Sequence, residues 1–131
     1  MARSDRDLRG DPDDTTLRVT TEADRGWTVV AVRGEIDIST ATTFDDALQA
    51  AMASSDRVVI DLSGVRFMDS TGLGVLMRAH KHQDDAGATL RIAAPSDRVI
   101  RLLDVTKLDD VFAVYPSVVE SQAAPFGEPP A

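Results

Sequence analysis

The chain has 131 residues, no cysteine and a formal net charge of −8, with 43% hydrophobic but only 5% aromatic residues. One domain with an aliphatic core fits that length, and disulfides, thiolate chemistry and Cys-based zinc sites are excluded. The acidic balance and the lack of Lys/Arg clusters argue against direct nucleic-acid binding, and no apolar run nears the roughly 20 residues of a membrane span.

In chain order, the start Met1-Ala2-Arg3-Ser4-Asp5 lacks an apolar signal core, so a cytoplasmic location is expected. Residues 1–14 are charged, poor in aliphatics and carry Gly10 and Pro12, the composition of a flexible acidic arm. Thr15–Thr20 and Trp27–Arg33 predict two strands with a turn at Ala23-Asp24-Arg25-Gly26, a hairpin. Ser39 and Thr40 are candidate caps for a helix to about Ala53, with Ala41, Phe44, Ala47, Leu48 and Ala51 at helical period. Arg57–Leu62 has the nearly continuous aliphatic run of a strand buried on both faces.

A helix from Ser70 to near Gly87 follows, with Leu73, Leu76, Met77 and His80 on one stripe. Leu73, Leu76 and Met77 are expected to bury together with Val59 and Ile60. Thr89–Ala93 predicts a strand, Pro95-Ser96-Asp97 the start of a helix through about Leu103, and Val111–Tyr115 a last strand. A short helix after Ser117 leads to a flexible tail, residues 121–131, leaving a domain over 15–120. Strands separated by helices imply a layered α/β domain. Its sheet is mixed and mostly parallel, with an antiparallel hairpin edge and about four packed helices.

The joint between the central strand and the next helix, Val65 to Met77, holds the most chemistry. Asp69, Ser70 and Thr71 are all N-cap types, so a helix starts there. A phosphate on Ser70 would lie near free N–H groups and partial positive charge, and would change the local charge by about −1.5 to −2. The plain alternative is an ordinary cap. Two glycines, Gly72 and Gly74, cost roughly 1 kcal/mol each relative to Ala, which suggests a bare first turn that a partner backbone can approach. The joint also lies at the carboxyl side of a buried strand, where open α/β sheets place their sites.

Competing chemistries fit less well. A nucleophile elbow needs Gly two residues before Ser70, where Met68 stands. His80, ten residues along the same helix, is roughly 15 Å away, too far for a Ser–His pair. His80 and His82 point to different helix faces and cannot share a metal. The Asp pairs at 13/14, 45/46, 84/85 and 109/110 suit solvated surface. Gly72-Leu73-Gly74 has two glycines of the dinucleotide fingerprint, but Met77 replaces the third and no Gly-Lys-Ser/Thr sequence exists. No catalytic, metal or cofactor site is expected.

The segment Phe67-Met68-Asp69-Ser70-Thr71-Gly72-Leu73-Gly74-Val75 resembles the phosphorylation-site motif of the anti-sigma factor antagonists, bacterial proteins built as a single STAS domain. Val32-Arg33-Gly34-Glu35-Ile36-Asp37 with Thr40 and Ala41 is similar to that family's first loop and helix start, and Val59-Ile60-Asp61-Leu62-Ser63-Gly64-Val65 to its central strand and turn. The resemblance spans about Thr15 to Val119 and implies a STAS-like fold. It implies binding to an anti-sigma factor that is itself a serine kinase, which frees a sigma factor. Ser70 would take the phosphate and cause release, and a phosphatase would reset it. Asp37 and Asp69 would lie beside the hydroxyl, with Met68, Thr71 and Gly72 completing the partner face. Some STAS proteins are instead nucleotide-binding or scaffold modules not regulated by phosphorylation.

Overall fold

A tight hairpin opens the fold. In the computed structural model, which describes residues 17–126, β1 (Arg18–Asp24) turns through Arg25 and Gly26 into β2 (Trp27–Ile36). Both turn residues have positive φ, 54° and 84°, as a two-residue type I′ connection requires, and glycine bears this without strain. Ala23 and Asp24, expected in the turn, pair instead with Thr28 and Trp27. Thr15 and Thr16 lie outside the described residues, as do the rest of the arm and residues 127–131.

From β2 the chain runs through α1 (Ala41–Ser54), β3 (Arg57–Met68), α2 (Ser70–Asp85) and β4 (Thr89–Ala93). It continues through α3 (Asp97–Val105), β5 (Ala113–Tyr115) and α4 (Val118–Ala123). The strands lie in the order β1-β2-β3-β4-β5, antiparallel between β1 and β2 and parallel elsewhere. This is the mixed α/β architecture read from the sequence.

The period of two along each strand sorts the core into two layers. Val30, Val58, Ile60, Leu90 and Ile92 pack on one face with Phe44 and Leu48 of α1, Leu73 and Leu76 of α2, and Val99 and Leu103 of α3. Trp27, Val29, Val59 and Ala93 form the opposite face, with Val118 of α4 against them. Val59 is therefore not buried with Leu76, because its side chain points away from that of Ile60. Met77 is only partly buried, and Val75 and Ala79 complete the inward face of α2. Each fully buried aliphatic of this kind contributes roughly 1.5–3 kcal/mol.

β3 departs most from the sequence pattern. Ser63 and Gly64 look like a turn, yet the strand continues to Met68. It stays paired with β2 across register shifts between Ala31 and Arg33 and between Gly34 and Glu35. Gly64 makes this possible, since a Cβ there would stand 2.8 Å from Arg33 Cγ and 3.0 Å from the Val32 carbonyl oxygen. β4 pairs with β3 only as far as Ala93 opposite Asp61. The last part of β3 outruns its neighbour.

Residues 121–126 correct the expected tail. Arg91 on β4 is 4% exposed, and its guanidinium donates to the carbonyls of Ser121, Ala124 and Pro125. It also lies 4.9 Å from the Trp27 ring centre and 4.8 Å from that of Phe126, whose rings stack at 5.6 Å. A buried cation needs acceptors for its N–H groups. The backbone after α4 supplies them and is held in place by doing so.

Candidate functional site

Two loops leave the carboxyl ends of neighbouring parallel strands and meet. One follows β2 and carries Asp37, Ile38 and Ser39; the other is the single residue Asp69 between β3 and α2. The Asp69 N–H donates to the Ile36 carbonyl at 3.2 Å, tying them together. The structure thus brings Asp37 and the Asp69-Ser70-Thr71 run to one end of the sheet.

Asp69 is the N-cap of α2. Its carboxylate accepts from the Thr71 N–H at 2.8 Å and the Gly72 N–H at 3.3 Å, occupying two of the donors that a helix start leaves free. Ser70, the first residue of α2, is exposed, whereas Thr71 is half-buried. A phosphoryl group on Ser70 would not meet an empty cradle of N–H groups, because the Asp69 carboxylate already holds the nearest ones.

Asp37 organises the other loop. Its carboxylate accepts from the Ser39 hydroxyl at 2.7 Å and the Ser39 N–H at 2.9 Å. The Ser39 hydroxyl bond is the main reason its pKa is lowered, against a smaller opposing effect of desolvation. Ser39 and Thr40 do not cap α1 with their side chains. The Thr40 hydroxyl donates instead to the Glu35 carbonyl at 2.8 Å and accepts from the Asp37 N–H at 3.0 Å. Ile38, which the sequence reading passed over, is 82% exposed beside these polar groups. Its signal was a β-branched apolar residue inside an otherwise polar turn.

Met68 and Gly72 stand in the site differently from the exposed hydroxyl. Met68 is buried and packs beneath the α2 start; Gly72 is buried too. A Cβ on Gly72 would lie 2.6 Å from Ile36 Cγ2 and 2.7 Å from Met68 Cγ. The close approach that Gly72 allows is therefore to the protein's own core. Gly74 fits the bare-turn reading, with only the Arg78 guanidinium within contact of a Cβ there, at 3.5 Å. His80 packs edge-on to Phe112 at 5.4 Å and His82 is exposed. Among the described residues no group of three or more His, Cys, Asp or Glu could hold a metal ion, and no helix is long and apolar enough to cross a membrane.

Fold and loop geometry define a small α/β module with an exposed serine at a helix start, next to its acidic cap and to a second loop that carries an aspartate. The STAS domain model matches residues 18–121, and the chain belongs to the STAS domain family. It is 37% identical over 94 residues to the anti-sigma-B factor antagonist of Listeria monocytogenes, which covers 71% of this chain and 82% of that protein. It is 35% identical over 85 residues to the anti-sigma-B factor antagonist of Bacillus subtilis, covering 65% and 78% respectively. The crystal structure of an anti-sigma factor antagonist from Mycobacterium paratuberculosis matches with a TM-score of 0.73 at 31% identity, over 85% of this chain and 93% of that one. These relatives are named for antagonism of a regulator and not for a reaction, and the chain stands with such binding proteins rather than with enzymes.

Proposed function

We propose that this protein is an anti-sigma factor antagonist whose unphosphorylated form binds an anti-sigma factor serine kinase and frees a sigma factor. Phosphorylation of Ser70 releases the kinase, and a phosphatase restores the binding form. The observation that carries this reading is the exposed Ser70 hydroxyl at the head of α2, beside the Asp69 carboxylate and the Asp37 loop. A phosphate there adds about −1.5 to −2 charges next to existing acids in what becomes a desolvated contact. Release then needs repulsion at the interface and no refolding. The half-buried position of Thr71 favours Ser70 as the acceptor.

The test is phosphopeptide mapping after incubation with ATP and the kinase that co-purifies with the protein. Ser70→Ala is expected to bind the kinase, take no phosphate and stay bound when ATP is added; Thr71→Ala is expected to remain a substrate. Phosphate on Thr71, or ATP-driven release of Ser70→Ala, overturns the assignment.

A further inference from the structure

α3 buries Val99 and Leu103. On another stripe Arg98, Arg101, Leu102 and Val105 recur at helical spacing. Together with Phe67 and Met68 at the end of β3, these four residues line a groove of about 350 Å³. Among the described residues the two most exposed large apolar side chains are Ile38 at 82% and Val105 at 70%. One sits on the Asp37 loop and the other in this groove.

The two arginines bring the fold no gain. Arg98 stands in the first turn of α3, where the helix dipole disfavours a cation, and Arg101 repeats the charge one turn on. Among the described residues neither is paired with a carboxylate. Arg98 lies over the Phe67 ring at 6.0 Å, and Asp97, four residues before Arg101, forms no ion pair with it. No carboxylate lines the groove, on a chain of net charge −8. Met68 joins the groove to the phosphorylation face, because Asp69 and Ser70 follow it directly. That face therefore has an acidic half, Asp37 and Asp69, and a cationic, apolar half on α3.

We propose that the groove seats an acidic, apolar segment of the anti-sigma factor kinase. A Leu, Ile or Phe type of side chain packs on Phe67, Met68 and Val105, and flanking Asp or Glu residues meet Arg98 and Arg101. This rests on the kinase reading above and adds how the kinase is oriented. Opposite charges on the two halves of one face fix register and steer the encounter more than they add affinity. Such exposed pairs are screened by salt.

The test measures the affinity of the full chain for the co-purifying kinase and the kinetics of Ser70 phosphorylation. Arg98→Gln with Arg101→Gln is expected to weaken binding about tenfold and to flatten its salt dependence. The loss should fall on KM, with little change in kcat. Val105→Ser is expected to weaken binding severalfold and keep the salt dependence. Arg25→Gln with Lys81→Gln removes two exposed cations outside the groove and is expected to change neither quantity. Groove variants that lose no more than this control overturn the proposal while the kinase reading stands. A wild-type chain that neither binds the kinase nor takes phosphate overturns both. Saturable micromolar binding of decanoate, lost in Arg98→Gln with Arg101→Gln, makes the groove a site for a small apolar anion and equally overturns the proposal.

Discussion

α1 and α2 start side by side at the ends of β2 and β3, yet they are built in opposite ways. α2 begins with a side-chain cap from Asp69 and a glycine fitted against Ile36 and Met68. α1 begins with no side-chain cap; Thr40 turns its hydroxyl back to Glu35 in the strand, and the Asp37 carboxylate closes on Ser39. The first start is fixed from below by packing, the second by polar bonds within its own loop. A surface that must present a hydroxyl in one geometry gains from the first arrangement. A neighbour that adjusts to a partner gains from the second, and Ile38 projects from it.

The sharpest way to break the contrast is at Gly72. Gly72→Ala places a methyl where Ile36 and Met68 already stand and is expected to cost about 1–3 kcal/mol, as overpacked sites do, despite the better helix propensity of Ala. Urea unfolding measures it; a chain as stable as wild type would show that the packing yields freely. Asp69→Ala comes next, at about 0.5–2 kcal/mol for the lost cap, with Asp69→Asn recovering most of it. An equal loss in both variants would mean that the carboxylate charge, not the cap, fixes the start of α2.

The smallest effect is expected at Ser39. Its hydroxyl is the leading cause of the lowered Asp37 pKa, so Ser39→Ala should move that titration up toward the ordinary aspartate value of 3.8. A carboxylate with a depressed folded pKa stabilises the loop above its unfolded value and loses that contribution as pH falls through the folded one. The variant therefore keeps less of this contribution near neutrality, and what remains is lost over a narrower pH range that ends at higher pH than in the wild type. Carbon-detected titration of the Asp37 carboxyl follows this directly, and an unshifted curve would remove Ser39 as the cause.

Much of this arrangement was legible in residue order. Asp69 reads as a cap, the aliphatic run before it as a buried strand, and Leu73 and Leu76 as the inward stripe. The failures share a cause, which is that a partner distant in sequence decides the outcome. Ser63-Gly64 has turn chemistry, and only the β2 backbone across from it turns the pair into strand. Val59 and Ile60 are alike in type, and only the sheet sends them to opposite layers. The fold-back of residues 124–126 depends on Arg91, whose burial no local pattern betrays. Gly72 and Gly74 look equivalent until one meets Ile36 and Met68 in the core and the other meets only the end of the Arg78 side chain.

Trp27 is the chain's one tryptophan, and it lies under Phe126 and against the Arg91 cation on the layer away from α1, α2 and α3. The protein thereby carries a single indole whose surroundings are set in part by the segment after α4. Its emission reports whether the segment after α4 is seated.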